Sequence, residues 1–240
     1  MKKLILGIFL LSPAIAIGQV QTYFNMGYGQ FKMSDMKAYQ NDLNSAAIVP
    51  TKTTSSFPAF WIYDWGATYT THSNVLTGLS FGLGSTGGRV TYSDYSGTLQ
   101  ADQRIQYLSI NANLGYVWKP RKWIISADLR PGFVITGLEL KTIQQTQGSS
   151  TPYSAMLGSV NIALQPTVTM TKRWGHFSLQ AYAGYNQTIA RGRLVFIDDN
   201  KTYLVDNNNQ PITADWSGLR AGAGVSVFFG KRGMAQPLTP

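Results

Sequence analysis

The 240 residues contain no cysteine. That excludes a disulfide framework, a thiolate metal site and a lipid-modified N-terminal cysteine. Charge is scarce as well. Asp, Glu, Lys and Arg together make 13% of the chain, about half the usual quarter, so there is little material for an ordinary water-facing exterior. Past the N-terminal stretch, no segment supplies the roughly 20 apolar residues of a membrane helix. An integral protein built from this sequence must therefore close its backbone hydrogen bonds in a barrel. What charge there is leans basic, 20 Lys and Arg against 11 Asp and Glu. The cations sit in short turns and near the C-terminus rather than along one element with interleaved aromatics, which argues against nucleic-acid binding.

The chain opens with Met1-Lys2-Lys3, an apolar run over 4–17 broken by Pro13, and the small residues of Ala16-Ile17-Gly18. This is the pattern of a secretory signal peptide at 1–18 with cleavage before Gln19. The expected organisation is that leader, one barrel domain at 19–229, and a short tail at 230–240.

From residue 19 onward the dominant period is two, the mark of strands with unlike faces. Eight such runs are legible, at about 22–29, 59–70, 75–84, 108–118, 123–136, 160–170, 177–186 and 219–229. In the fourth, Leu108, Ile110, Ala112, Leu114, Tyr116 and Trp118 oppose Ser109, Asn111, Asn113, Gly115 and Val117. The connections alternate in length. Short ones fall at 71–74, 120–122 and 171–176, and long ones at about 33–56, 85–104, 141–153 and 198–215. Short periplasmic turns alternating with longer external loops, joined by strands of about 9–11 residues, are what a transmembrane β-barrel requires.

The parity of the charges assigns the faces. Asp64, Asp128, Arg130 and Arg220 all fall on the polar side. Arg or Lys at the lipid midplane costs about 2–4 kcal/mol, so this side belongs in the lumen. There the four are expected to pair with one another and with Gln180, Asn186, Asn111 and Asn161, plugging the bore. A soluble ligand-binding barrel would turn the same Gly-, Ser-, Asn- and Thr-rich face to water with few charges, which fits poorly; a narrow lumen takes small residues well. Tyr69, Tyr116, Trp118, Trp123, Trp174, Phe177, Phe228 and Phe229 cluster beside the short turns and are read as an interfacial girdle.

On these strands, this alternation and the closing run Gly224-Val225-Ser226-Val227-Phe228-Phe229, the chain resembles the small eight-stranded bacterial outer-membrane barrels of the OmpA-barrel and OmpX-like, porin-like type. The resemblance covers about 20–229. It implies an all-β closed antiparallel barrel in the outer membrane, with the last strand read by the barrel-assembly machinery.

Candidate chemistry is thin. His72 and His176 fall in the short turns, away from the external rim where a lipid- or peptide-cleaving barrel would need a general base. The run Gly84–Arg89 lacks the Lys-Ser/Thr ending of a phosphate loop. Asp198-Asp199-Asn200 and Asp206-Asn207-Asn208-Asn209 miss calcium-loop spacing and read as turns flanking 202–205. In the first long loop Ser34 is placed to cap a short helix, with Met36, Tyr39 and Leu43 at helical spacing; this helix is expected to close the barrel mouth, the alternative being contact with a partner. The turn cations Lys119, Arg121, Lys122, Lys172, Arg173, Lys231 and Arg232 face either solvent or anionic headgroups. Tyr92, Tyr95, Tyr153 and Tyr203 offer contact groups for a protein partner at the loops. The expected protein is a non-enzymatic barrel without cofactor or metal, in contact with outer-membrane lipid, with a structural or surface-interaction role. The alternatives are a narrow channel and, third, a barrel enzyme.

Overall fold

The computed structural model describes residues 19–46, 51–94, 97–120, 123–146, 149–199 and 201–229. The expected leader 1–18 and tail 230–240 lie outside the described residues. Strands run β1 (Gln19–Gly29), β2 (Lys52–Ser56), β3 (Phe60–Thr70), β4 (Val75–Asp94), β5 (Gly97–Trp118), β6 (Trp123–Thr146), β7 (Ser149–Trp174), β8 (Phe177–Ala190), β9 (Val195–Phe196) and β10 (Gly218–Phe229), with one helix, α1 (Ser34–Ala46).

Pairing is antiparallel throughout and follows the order β4-β3-β1-β10-β8-β7-β6-β5, with β5 pairing back onto β4. Those eight strands form a closed ring, with no open edge at the level of the ring; above it, β7 over 149–156 is paired along its length with β6 alone. First and last strands meet over nearly their full lengths, from Val20 opposite Phe229 to Gly29 opposite Arg220. The connections β3–β4, β5–β6 and β7–β8 collect at the same end. Asn74 (φ 63°) and Gly175 (φ 64°) supply the left-handed residues of two of them.

Alternation produces two unlike faces. Leu114 is 54% exposed and its neighbour Asn113 0%. Phe24, Leu79, Phe133, Val168 and Leu179 look outward, while Asn25, Ser80, Asn111, Asn161 and Thr167 are buried inside. An apolar surface of this extent is the solvent-facing pattern inverted, and only lipid satisfies it. Glycine makes room in the bore: a Cβ on Gly84 would strike the Tyr107 ring, and one on Gly222 the Tyr182 ring.

The strands overturn one expectation. The segments 85–104 and 141–153 are not long loops. β4 and β5 stay paired from Val75 opposite Tyr116 to Asp94 opposite Gly97, and β6 and β7 stay paired to Thr146 opposite Ser149. β7 has 26 residues, roughly 86 Å of strand at about 3.3 Å each, against the 9–11 residues that cross lipid. Above the bilayer both strand faces can be polar, so apolar alternation disappears while the backbone ladder continues. Thr, Val and Ile are the trace that persists there. The genuine long connections are 30–59, carrying α1 and β2, and 191–217. The second holds the expected turns at Asp199–Thr202 and Asp206–Asn209, tied back by β9 on β7.

Candidate functional site: a lumen sealed in two layers

The charged layer lies at mid-height. Asp128 and Arg130 are two apart on β6 and share its inner face, and Arg130 Nε donates to Asp128 Oδ2 (2.5 Å). Its Nη1 reaches across the bore to Asp64 Oδ2 on β3 (2.8 Å), and its Cζ lies 5.9 Å from the centre of the Tyr23 ring. One guanidinium thus holds one buried carboxylate and one largely buried one, the geometry in which an ion cluster tolerates removal from water.

The remaining sequence-selected residues do not join that triad. Arg220 on β10 donates to Gln165 Oε1 (3.2 Å) and stacks over Tyr107 (5.1 Å). It makes no ion pair with a carboxylate among the described residues, which corrects the expectation that the four charges pair with one another. The cause is placement: Asp64 and Asp128 both turn to Arg130. Gln180 donates to Asn25 Oδ1 (2.6 Å) and accepts from Gln21 (3.1 Å). Asn186 sits higher and donates to the Trp216 carbonyl (2.9 Å). Asn111 bonds Ser109, and Asn161 bonds Thr136 and the Gly192 amide.

Above the charges the lumen changes character. Phe31, Met33, Met36, Ile62, Ile105, Tyr107, Val134, Leu138, Leu157, Leu194, Ile212 and Trp216 are buried together as an apolar core inside the barrel mouth. Trp216, 0% exposed, is its centre. Its rings lie 5.1 Å from Phe31 and 4.6 Å from Tyr107, and Nε1 donates to Thr136 Oγ1 (2.8 Å). The 191–217 segment is strapped to the chain leaving β1. Lys32 N–H donates to the Ser217 carbonyl and Met33 N–H to the Asp215 carbonyl. Asp215 is held by Ser217 and by Arg191 (2.7 Å).

Helix α1 closes the mouth as its spacing implied, with Met36 buried and Tyr39 packed on the core. Burial raises the Tyr39 phenol above its ordinary pKa. Ser34 is not a backbone cap in the expected way: its hydroxyl bonds Asp35, whose other oxygen takes Thr213 Oγ1 (2.5 Å). Beyond α1 the plug is not apparent from the sequence, yet it left a sign. Ile62, Val134 and Leu138 are apolar residues on the polar parity, all toward the loop end of their strands.

The turn side keeps a cavity of about 30 Å³ between Gln19, Lys119 and Thr171, floored by Asp128 and Arg130, room for roughly one water. Around it Tyr116, Trp118, Trp123, Trp174, Phe177 and Phe229 stand exposed and Tyr69 half-buried. Phe228 is instead 4% exposed and turned inward under Arg173, so it leaves the girdle. A second set at the loop-side edge, including Tyr28 against Trp61 (5.8 Å), went unread.

His72 and His176 are exposed in the turns, His176 Nδ1 lying 3.1 Å from the Phe228 carbonyl. Gly84–Arg89 is ordinary β4, with Arg89 bidentate on Asp102. Asp206 accepts from the Asn208 and Gln210 amides. Asp199 accepts from Lys201 and Thr202, which hold its carboxyl below the usual range. These carboxylates serve their own turns. Tyr153 is well exposed and Tyr203 carries Arg193 over its ring (5.1 Å). Tyr95, Arg121, Lys122, Asn200, Lys231 and Arg232 lie outside the described residues.

No protein-family model matches the chain, and no curated protein matches it. Among solved structures it is similar to Ail, the attachment invasion locus protein of Yersinia pestis, at TM-score 0.39 and 11% identity over 89% of this chain and 99% of that one. It is also similar to Neisserial surface protein A (0.38, 13%, 88% and 97%) and to the outer membrane protease OmpT from Escherichia coli (0.31, 10%, 88% and 97%). Likenesses this distant carry no part of the assignment. The closed ring, the apolar exterior and the hydrogen-bonded lumen of this chain do: it is an integral membrane β-barrel.

The orientation of the faces has a direct test. Leu114→Arg, at mid-belt on the outer face, is expected to cost about 2–4 kcal/mol of folding free energy in lipid vesicles by urea titration. An unchanged midpoint would mean that position 114 does not meet acyl chains.

Proposed function

We propose that this barrel is a sealed, non-enzymatic element of the outer membrane, with a structural or surface-interaction role carried by its loop-side projections. The observation that carries the reading is the apolar core around Trp216, stacked on the Arg130 triad. A path for water and ions needs continuous polar space, and the cluster of buried apolar side chains at the mouth weighs against one. The tall β4–β5 and β6–β7 hairpins, standing clear of lipid with Tyr153 exposed, favour contact with a partner on the loop side. Both histidines lie at the opposite end, which weighs against a catalytic role there. Export through a cleaved leader and insertion through the barrel-assembly machinery by way of Gly224–Phe229 belong to the same proposal.

Single-channel recording in planar bilayers tests it. The expected trace is silent at both polarities. Steady openings with a defined unit conductance would replace the sealed barrel by a narrow channel.

A further inference from the structure

Charge is distributed along the barrel axis in a way that membrane insertion does not demand. Of the 11 acidic residues, Asp64 and Asp128 stand in the lumen, and every other one lies on the loop side, in α1, the upper parts of β4–β6 or the 191–217 segment. Three of the cations there have carboxylate partners: Arg89 with Asp102, Lys141 with Glu139, Arg191 with Asp215. The turn side holds no acidic residue at all, yet carries Lys119, Lys172 and Arg173.

Lys172 is the informative member. It has the outward parity of β7, in line with the lipid-facing Val168 and Met170, and it pairs in register with Trp123. Its ammonium lies 5.4 Å from the centre of the Trp123 ring and 5.4 Å from that of Trp174. Two exposed indoles fix the height of the charge, because tryptophan settles at the headgroup boundary. A lysine facing acyl chains is penalised at mid-depth and nearly free at the interface, where its stem can lie along the rings. The ring faces attract the charge but accept no conventional hydrogen bond, and among the described residues no oxygen accepts from Lys172, so its three N–H donors are open to oxygen acceptors of a lipid. Arg173, of opposite parity, turns inward over Phe228 (4.4 Å) and donates to the Gly175 carbonyl (2.6 Å); it contributes field rather than contact.

We propose that Lys172, framed by Trp123 and Trp174, is a binding site for the phosphate of an anionic phospholipid headgroup in the leaflet facing the turn side, with Lys119 and Arg173 adding positive potential. Zwitterionic headgroups carry their own cation into this acid-free rim and are disfavoured by it. The site rests on the transmembrane reading above, and it adds the lipid class and the leaflet.

The test uses the protein reconstituted into phosphatidylcholine vesicles, with spin-labelled phosphatidylglycerol or phosphatidylcholine as the probe of first-shell lipid. At low salt, phosphatidylglycerol is expected to be favoured about fivefold at the protein surface, the equivalent of the roughly 1 kcal/mol per basic residue near an anionic interface. High salt should reduce the preference, Lys172→Gln should remove most of it, and Lys172→Arg should retain it. A wild-type preference near unity overturns the site, and so does an undiminished preference in Lys172→Gln. Inorganic phosphate at matched ionic strength separates the sources: a preference abolished by phosphate but not by chloride assigns the pocket to the free anion and overturns the lipid. Soluble polyphosphate that displaces the labelled lipid and stays with the protein also overturns it, in favour of a polymer. The heat-dependent gel shift of each sample reports folding independently; its absence in the wild type would count against the membrane barrel itself, not against this site.

Discussion

Arg130→Met is expected to lower folding stability by about 3–5 kcal/mol, the usual consequence of removing one partner from a buried ion cluster. The size follows from what remains. Asp64 and Asp128 would face each other across a narrow bore without the guanidinium that now touches both. Arg220 is no substitute, because its donors and its plane are directed to Gln165 and Tyr107. The triple variant Arg130→Met, Asp64→Asn, Asp128→Asn should recover most of the loss, since neutral amides can be satisfied by Asn25, Ser80 and their neighbours and no charge is left unpaired. Urea titration in vesicles, followed by tryptophan fluorescence, measures both. If the single variant unfolds at the wild-type midpoint, the cluster is not what closes the lumen at mid-height.

Trp216→Ala should be comparably costly, about 3–5 kcal/mol if the cavity stays open, but its effect should be local in character. Trp216 is the hub where Phe31, Tyr107 and Thr136 meet, and the straps from Lys32 and Met33 run to its flanking residues Ser217 and Asp215. The ring ladder below does not depend on it. Hydrogen exchange should therefore accelerate at the Lys32 and Met33 amides and through 191–217, while β8 and β10 keep their protection. Uniform acceleration over the barrel, or none anywhere, would refute a separately folded plug. The same variant has a functional consequence: emptying the mouth leaves the Arg130 triad as the remaining barrier, so brief or subconducting openings are expected where the wild type is silent.

The sequence showed some layers of this molecule plainly and hid others for a definable reason. Period-two alternation exists only where a strand separates two different solvents. In 108–118 one face meets lipid and the other a polar bore, so Leu114 and Asn113 alternate cleanly and the strand is visible. In 85–104 one face meets water and the other buries mainly polar groups such as Thr86 and Gln103 beside Val90, so Arg89, Thr91, Asp102 and Arg104 look like a loop although they are paired residue by residue. The mouth was hidden by the opposite change. There the interior is apolar, so Ile62 and Val134 break the rule that identified the lumen. Trp216, in a connection with no periodicity, gave no local sign that it would become the most buried large side chain.

Strand existence, inside-outside parity and the placing of Asp64, Asp128, Arg130 and Arg220 in the bore were determined by the residues themselves, because each follows from a two-residue repeat and the cost of putting charge in lipid. Which charges meet, how tall the barrel stands and what fills its mouth were decided only by the closed tertiary structure. Those outcomes depend on contacts between residues far apart in sequence, Arg130 with Asp64 and Trp216 with Thr136, and such contacts exist only once the ring has closed around them.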